Sequence, residues 1–342
     1  AQENPFAQYN YFMDAALGGT AVAAKIAVLG NINIDFVMGA ERMPRPGETL
    51  MGTNLRLVPG GKGANQAVTA ARLGAEVTVI GRVGEDTFGP QLRANLERQG
   101  IDTRFLTSDP QAHTGSAFIA LAPSGENSIL SCMGANLAVS REQMEAAAPA
   151  IEAADMLLVQ LGVPLEAVLQ AIEIASAAGT RVLFDPTPVR GDLDPMWPHV
   201  TVSCPNETEA EAIAGEPAEG LEDAARAAAW FRERGVQIAI IKLGARGALV
   251  LDDGGARLVR GYSVTVVDTT GAGDSFAGAL GTRLAEGASV NEALAFANAA
   301  GAMAASRFGA QPSLPTRAEV EALMAAQQRD DRVEAVKTAN DG

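Results

Sequence analysis

Residues 268–280, DTTGAGDSFAGAL, place two glycines and an acidic residue where an apolar run, YSVTVVD, meets an alanine-rich segment that predicts a helix. Glycine lets backbone N–H groups approach a ligand closely, and the partial positive charge at a helix N-terminus attracts anions. Asp is also a common helix cap, and Gly is common in tight turns. This stretch alone therefore leaves two interpretations open, an anion site and a simple helix start.

Outward from this stretch, short β-rich runs alternate with helical segments from residue 25 onward. The runs are KIAVLG, VTVIGRVG, DMLLVQLG, RVLFDP, VTVSCP, IAIIKLG, ALVLDD and YSVTVVD, and helices are predicted over residues 63–73, 88–99, 165–178, 221–234 and 273–286. Continuously apolar strands with covering helices are typical of a buried, mostly parallel sheet. We therefore predict an α/β domain over residues 25–328.

Two segments, residues of about 35–59 and 114–133, interrupt this alternation. They contain the strand-like runs DFVMG, TLMGTNLRLV, GSAFIALA and NSILSCM, which Pro- and Gly-bearing turns join without helices. We expect them to form one small β-sheet near the strand ends where α/β folds bind ligands, and so to act as a lid. An ordinary antiparallel extension or a dimer surface is the alternative, and the roles are compatible.

The ends of the chain and its composition give further limits. Residues 1–24 lack the features of a signal peptide and are predicted to be a loosely packed extension, while residues 329–342 form a polar tail. The net charge of −15 argues against a nucleic-acid surface, and no apolar run reaches the ~20 residues that span a bilayer. Cys132 and Cys204 show neither metal-ligand nor redox spacing. We expect buried free thiols in a reducing cytoplasm.

Polar residues follow the first predicted strand and begin the first helix. Asn33 and Asp35 in GNINID are two positions apart, so in an extended chain they face the same way and suit vicinal hydroxyls. In PGGKGANQA, residues 59–67, Lys62 offers a cation and Asn65 lies in the first helical turn. A solvated turn after the strand is the alternative for the first pair.

A fourth polar motif, CPNETEAE at residues 204–211, begins another helix. Asn206 and Glu209 are three residues apart on one helix face and could hold water around Mg²⁺ near phosphates. Capping by Asn206 and favourable placement of acids at a helix start explain the same residues. The motif alone does not separate the two interpretations.

Taken together, these motifs resemble the PfkB carbohydrate kinases over residues 25–328. GNINID, PGGKGANQAVTAARLGAEVTVIGRVGED, GEN, GAN, PNETEAE, DTTGAGDSFAGAL and GAQPSLP occur in the order and spacing of that family. The chain is most similar to the members that phosphorylate D-ribose. The resemblance implies a three-layer α/β fold with helices on both sides of a mostly parallel sheet, a small β-sheet lid, and often a homodimer formed through the lid sheets.

The resemblance also implies a role for each motif in an ATP-dependent reaction that requires Mg²⁺ and is activated by K⁺. The turn at Gly271, Ala272 and Gly273 would form an anion hole, and Asp274 would be the general base. The other implied roles are sugar binding by Asn33, Asp35, Gly61, Lys62, Asn65 and Asp274; organisation of Mg²⁺ and phosphates by Asn206 and Glu209; nucleotide binding by Lys242, Gly244 and Asn298, the last near adenine; and K⁺ binding by Asp268, Thr270, Ala305, Gly309 and Ser313.

The sequence departs from the family pattern at two positions. Gly162 stands where relatives that act on ribose carry an acid that contacts the sugar, and Lys242 replaces a frequent threonine. Loss of a buried polar contact weakens sugar discrimination. Another sugar, such as deoxyribose or a ketose, or a nucleoside therefore remains an alternative substrate. A sugar sensor without turnover is a second alternative, although Asp274 and the glycines of the turn are present.

Overall fold

The computed structural model describes residues 23–122, 127–328 and 331–336. Its larger sheet has the order β14-β13-β12-β11-β10-β9-β8-β1-β4-β5, and its smaller sheet has the order β3-β2-β6-β7. The strands are β1 Lys25–Leu29, β2 Asn33–Gly39, β3 Thr53–Gly60, β4 Glu76–Gly84, β5 Asp102–Asp109, β6 Gly115–Leu121, β7 Asn127–Cys132, β8 Met156–Gln160, β9 Arg181–Asp185, β10 Val202–Ser203, β11 Ile238–Lys242, β12 Gly247–Asp252, β13 Gly255–Arg260 and β14 Val333–Ala335.

Helices cover both faces of the larger sheet. They are α1 Lys62–Arg72, α2 Phe88–Arg98, α3 Arg141–Glu152, α4 Leu165–Ala178, α5 Glu207–Ala214, α6 Leu221–Glu233, α7 Ala272–Ala285, α8 Val290–Ala305 and α9 Arg317–Ala326. Strands from β11 to β5 in the sheet order pair in parallel, and β12, β13 and β14 extend the sheet as antiparallel strands. The predicted three-layer α/β architecture is confirmed.

Side chains of the central strands alternate between two hydrophobic cores, as the two-residue period of a strand requires. On β1, Ile26 and Val28 join the core that includes residues of α1, α7 and α8, whereas Ala27 and Leu29 join the core that includes residues of α3, α4 and α6. Burial on both faces explains why these strands read as unbroken apolar runs. Because these strands pair in parallel, the carboxyl ends of β1, β8, β9, β10 and β11 meet at one edge of the sheet.

The two segments without predicted helices form the smaller sheet, in which β2 pairs antiparallel with β3 and parallel with β6. Val37, Val58, Ala117 and Ile119 form its own small hydrophobic cluster. The sheet starts only three residues after β1 ends. Asn33 and Asp35 are therefore carried from the edge of the larger sheet directly into the smaller one.

The run YSVTVVD does not form the strand that its β-rich composition predicts. In residues 262–268 the backbone is irregular, and the N–H groups of Val267 and Asp268 both donate to the carbonyl oxygen of Ala305, at 2.9 and 3.2 Å. The edge of β13 that this run would need is occupied by β14. The run therefore crosses to the end of α8 instead of extending the sheet.

The segment at residues 331–336 is tied to the end of β13. The guanidinium of Arg332 donates to the carbonyl oxygens of Arg260, at 3.2 Å, and Gly261, at 2.9 Å, and lies 3.7 Å from the centre of the Tyr262 ring. These contacts hold the start of the connection from β13 to residues 268–274. β14 lies within the stretch that the sequence suggests is a polar tail.

The two cysteines lie in different surroundings. Cys204 is a buried free thiol as expected, but the expectation for Cys132 is wrong: its thiol is free and the residue is exposed, because it lies on β7 at the edge of the smaller sheet. The predicted N-terminal extension lies outside the described residues except for positions 23 and 24. Among the described helices, none has the length and apolar character needed to cross a membrane.

Candidate active site

The glycine-rich stretch forms the start of α7, and we call residues 271–274 the anion turn. Gly271 precedes the helix with φ 79°, a left-handed conformation that favours glycine, and no side chain caps this end. The N–H groups of Gly273 and Asp274 donate to no acceptor in the described part of the chain. Unpaired N–H groups and the helix dipole together make this turn suited to a negatively charged group.

Asp274 lies in the first turn of α7 and is buried. Its Oδ2 accepts a hydrogen bond of 2.7 Å from Nδ2 of Asn65, which lies in the first turn of α1. Burial raises the pKa of the Asp274 carboxyl, while Lys62, the Asn65 hydrogen bond and Lys242 oppose that rise. Asn65 Oδ1 is buried without a hydrogen-bond partner among the described residues, so it remains available to a ligand hydroxyl.

Asn33 and Asp35 lie on β2 and are both buried, as their spacing predicts for one side of a strand. Asn33 Oδ1 accepts a 2.9 Å hydrogen bond from Asn136 Nδ2, which orients the Asn33 amide. Neither oxygen of Asp35 has a hydrogen-bond partner in the described chain. The pKa of Asp35 is raised to about 7, first by burial and then by the charge of Asp274, against the opposing charge of Lys62.

The backbone of residues 60 and 61 closes against these side chains. A Cβ added at Gly60 would lie 2.0 Å from Oδ2 of Asp35. Gly61 has φ 92°, and a Cβ there would lie 2.6 Å from the carbonyl oxygen of Asn31. Lys62 follows at the start of α1, close enough to influence the pKa of both Asp35 and Asp274. The structure thus brings together the predicted sugar residues and Asp274.

Of the residues predicted for the nucleotide and its Mg²⁺, Asn206 and Gly244 follow the ends of β10 and β11, whereas Asn298 lies on α8. Asn206 and Glu209 form a reciprocal capping box at α5: Asn206 Oδ1 accepts from the Glu209 N–H and Glu209 Oε2 accepts from the Asn206 N–H, both at 2.8 Å. The capping interpretation is therefore confirmed, and both residues retain free oxygen lone pairs. Gly244, with φ 57°, begins a short 3-10 turn after β11. Asn298 is buried on α8, and its amide donates to the Val259 carbonyl oxygen at 2.8 Å.

Residues predicted for the monovalent cation lie in two segments that meet behind the anion turn. Asp268 Oδ1 accepts from the Thr270 N–H and Oδ2 accepts from the Gly309 N–H, each at 2.9 Å. Ala305 ends α8, and Ser313 donates its hydroxyl to the Ala310 carbonyl oxygen at 2.7 Å. These residues provide carboxylate, carbonyl and hydroxyl oxygens, the donors that hard cations prefer. Within residues 23–122, 127–328 and 331–336, no cluster of three or more His, Cys, Asp or Glu side chains is arranged for a metal.

A buried row of polar side chains below the anion turn was not identified from the sequence. Gln160 Nε2 donates to Gln66 Oε1 at 2.5 Å, Gln66 Nε2 donates to Asp185 Oδ2 at 3.0 Å, and Lys242 Nζ donates to Asp185 Oδ1 at 2.8 Å. We call these four residues the polar row. Gln160, Asp185 and Lys242 each end a strand, so a polar residue directly after an apolar run was the available signal. Lys242 is the one member that the resemblance singled out.

Because burial raises the pKa of Asp35, the ligand-free protein should lose stability as this carboxyl ionises. The unfolded chain ionises near the ordinary value of 3.8 and the folded chain near 7, so the penalty is absent below pH 4 and develops between pH 4 and 7. We expect Asp35→Asn to increase the free energy of unfolding, relative to the unchanged protein, by up to about 4 kcal/mol at pH 8. Urea unfolding at pH 4, 6 and 8 measures this difference, and a pH-independent difference would contradict it.

The known proteins that are similar to this chain belong to one family of kinases. A sequence profile of the pfkB family carbohydrate kinases matches residues 23–317. The ribokinase of Haemophilus influenzae is 41% identical over 294 residues, 86% of this chain and 96% of that protein. The deoxyribokinase of Salmonella typhi is 34% identical over 295 residues, 85% of this chain and 95% of that protein. A solved structure of Arabidopsis thaliana ribokinase complexed with ribose and ATP has a TM-score of 0.80 and 31% identity, over 89% of this chain and 99% of that chain. The chain therefore belongs to the pfkB family of carbohydrate kinases and is a sugar kinase.

Proposed function

We propose that this kinase transfers the γ-phosphoryl group of ATP to the 5-hydroxyl of D-ribose, giving ribose 5-phosphate and ADP. The observation that carries the proposal is the buried Asp274 carboxylate, which Asn65 holds at 2.7 Å beside the unpaired N–H groups of the anion turn. A base next to an anion site suits phosphoryl transfer, which depends on positioning and charge neutralisation. The ribokinase relatives, one of them solved with ribose and ATP, support ribose as the acceptor.

In the proposed reaction, Asp274 accepts the proton of the sugar 5-hydroxyl, and the oxygen of that hydroxyl forms a bond to the γ-phosphorus. The bond from that phosphorus to the β,γ-bridging oxygen breaks, and ADP leaves with the electron pair. N–H groups of the turn at Gly271, Ala272 and Gly273 would stabilise the negative charge on the transferring group. Of these, the Ala272 N–H donates to the Thr269 carbonyl oxygen at 3.2 Å in the ligand-free chain, whereas the Gly273 N–H has no acceptor among the described residues. The raised pKa of Asp274 makes its carboxylate a better proton acceptor than an exposed aspartate.

The sugar would lie between the start of α1 and the smaller sheet. Asn33, Asp35 and Asn65 offer polar side-chain atoms there, Gly61 lets the backbone approach, and Lys62 balances the two nearby carboxyls. Support comes from the unpaired Asn65 Oδ1 and from the Asp35 oxygens, which have no partner in the described chain. The smaller sheet would cover the bound sugar as a lid.

On the nucleotide side, we assign Lys242 and Gly244 to the phosphates and Asn298 to the neighbourhood of the adenine. Asn206 and Glu209 would hold Mg²⁺ through water, and oxygens of Asp268, Thr270, Ala305, Gly309 and Ser313 would hold K⁺. Bound Mg²⁺ would neutralise phosphate charge, and K⁺ would stabilise the loop behind the anion turn. The capping role of Asn206 and Glu209 is compatible with this, because a carboxylate oxygen accepts more than one hydrogen bond.

Deoxyribose is the alternative acceptor that a specific observation favours, since a deoxyribokinase is 34% identical to this chain. Gly162 provides no acidic side chain to a sugar hydroxyl. A ketose or a nucleoside is a weaker alternative, and a sensor without turnover would conflict with an intact base and anion turn.

Asp274→Asn should decrease kcat by at least ~10²–10⁴, the usual contribution of a general base, because the amide cannot accept the proton. The substitution preserves side-chain shape, so binding of the ATP analogue AMP-PNP should change little. The assay is ADP release by both proteins with D-ribose, 2-deoxyribose, fructose or a nucleoside, with Mg²⁺ and with or without K⁺. The ratio of the two rates tests Asp274 as the base, and the rates of the unchanged protein identify the acceptor.

The matched control is Asp253→Asn, whose carboxyl is 96% exposed. Near-normal turnover by a folded Asp274→Asn variant would exclude the base role. If the enzyme prefers another sugar and still requires Asp274, that sugar is the substrate in place of ribose, and the proposed mechanism stands.

We further propose that two copies of the chain associate through the smaller sheets, in the cytoplasm where ATP is available. Four large apolar side chains on this sheet remain exposed: Leu55 at 62%, Phe118 at 44%, Ile129 at 55% and Leu130 at 64%. Exposed apolar side chains grouped on one sheet are typical of an interaction surface. The edge strands β3 and β7 could also pair with those of a second copy.

Leu130→Asp should convert the dimer to a monomer, because it would bury a carboxylate in the apolar contact. Val333→Asp is the control, since Val333 is 43% exposed but lies on β14 at the far edge of the larger sheet. Light scattering measures the mass of each variant. A monomeric unchanged protein, or a dimer that survives Leu130→Asp, would contradict the assignment.

A further inference from the structure

The Lys242–Asp185 ion pair is buried directly below the anion turn. Lys242 ends β11 and Asp185 ends β9, and their side chains are only 13% and 1% exposed. A Cβ added at Gly273 would lie 3.7 Å from Lys242 Nζ, so the ammonium group is adjacent to the first turn of α7. Lys242 also lowers, and Glu209 raises, the pKa of Asp274. The ammonium therefore lies beside the anion turn and acts electrostatically on the Asp274 carboxyl.

The polar row holds the carboxylate of this pair in place. Asp185 Oδ2 accepts from Gln66, and Gln66 in turn accepts from Gln160, whose own Oε1 is buried without a partner among the described residues. The Cys204 thiol lies 3.9 Å from Asp185 Oδ1. With both oxygens engaged, Asp185 has little freedom to follow Lys242 if the ammonium moves.

Stability alone is a poor explanation for this pair. Burying two charges costs more desolvation free energy than apolar side chains of the same size would, and such a pair is often neutral or unfavourable for stability. A cation next to unpaired N–H groups is, by contrast, what a group carrying several negative charges requires. Burial lowers the pKa of Lys242, but the charge of Asp185 raises it and the net shift is upward, so that the ammonium stays protonated.

We propose that Lys242 contacts the transferring γ-phosphoryl group and that Asp185 is a positioning residue, which holds the ammonium below the anion turn both before and after ATP binds. The proposal rests on the kinase activity proposed above but not on the identity of the sugar. When ATP is bound, Lys242 Nζ donates to a γ-phosphoryl oxygen and keeps Asp185 as a second acceptor. ADP lacks the γ-phosphoryl group and so does not use this contact.

Lys242→Met tests the contact, because it removes the charge and keeps the length of the side chain. We expect the affinity for AMP-PNP to fall at least ~10-fold, the loss of one charged hydrogen bond, while the affinity for ADP stays within about twofold. Calorimetric titration with each nucleotide, without sugar, measures both. A structural role for the pair would change both affinities together or neither.

Lys242→Met leaves the buried Asp185 carboxylate without its cation and could destabilise the fold, so further variants are needed. Asp185→Asn with Lys242→Met removes both charges and should show the same selective loss of AMP-PNP affinity. Asp185→Asn alone should retain AMP-PNP binding but decrease kcat, because the ammonium is present but less well placed. Lys25→Met controls for the loss of one lysine charge, because Lys25 begins β1, at the amino ends of the parallel strands and away from Lys242. Equal loss of ADP and AMP-PNP affinity in the folded double variant would overturn the proposal, whereas no AMP-PNP binding by the unchanged protein would instead refute the kinase activity.

A second, independent observation concerns Gly162 and Asn31, which compete for one space. A Cβ added at Gly162 would lie 2.4 Å from Asn31 Oδ1 and 2.6 Å from its Cγ. Asn31 is 6% exposed, and its Oδ1 accepts a long hydrogen bond of 3.4 Å from the Gly63 N–H. Its Nδ2 donates to no described residue. Asn31 thus occupies the position into which a side chain at residue 162 would extend.

We infer that Asn31 is a specificity-determining residue that donates a hydrogen bond from Nδ2 to a hydroxyl oxygen of the sugar. It supplies a polar contact on the side of the pocket where Gly162 offers no side chain. A donor there, in place of an acceptor, selects the sugar by a different hydroxyl geometry. The inference depends on sugar phosphorylation but not on ribose being the sugar.

Asn31→Ala should raise the KM for the accepted sugar about 10-fold and leave AMP-PNP affinity unchanged. Gly162→Glu alone should abolish sugar binding through the overlap with Asn31, whereas Asn31→Ala with Gly162→Glu should recover at least part of it. Steady-state kinetics with the sugar that the unchanged enzyme prefers, together with AMP-PNP titration, separates these outcomes. Full activity of Gly162→Glu, or an unchanged sugar KM in folded Asn31→Ala, would overturn the inference.

Discussion

The hydrogen bond between Asn65 and Asp274 is the interaction on which the site depends. It joins the first turn of α1 to the first turn of α7, although the two residues are 209 positions apart in the chain. By accepting this bond, the carboxylate is held in one orientation beside the unpaired N–H groups of the anion turn. The same contact places the start of α1, with Lys62, next to the anion turn at the start of α7.

Close contact between backbone segments makes this approach possible. A Cβ added at Gly63 would lie 2.6 Å from the Cα of Gly30, and one added at Gly278 would lie 2.8 Å from the Gln66 carbonyl oxygen. Helix α1 can therefore lie against both the end of β1 and helix α7 only because these positions carry no side chain. Since interiors are densely packed, even one added methyl group would separate the elements that carry Asn65 and Asp274.

The site stores unfavourable electrostatic free energy in the absence of ligands. Burial raises the pKa of Asp35, Asp185 and Asp274, and two lysines, Lys62 and Lys242, partly offset the cost of their ionised forms. Carboxylates and cations held apart from water interact strongly with a polar ligand because little solvent must reorganise when it binds. In the absence of a ligand, these buried carboxylates therefore lower the stability of the folded chain as they ionise.

Residue pattern alone was enough to predict the alternation of strands and helices, the small second sheet and the motifs at the strand ends, since periodicity and turn residues act locally. The local pattern wrongly predicted a strand at YSVTVVD. β14, which lies 65 residues or more further along the chain, pairs with the free edge of β13, and the Ala305 carbonyl oxygen accepts the hydrogen bonds of Val267 and Asp268 instead. The sequence pattern gave no sign that Asp185 pairs with Lys242, that Asn136 orients Asn33 or that Asn31 fills the space beside Gly162. Those contacts join residues distant in sequence, and their distances and burial follow from how the strands and helices pack, which no local pattern encodes.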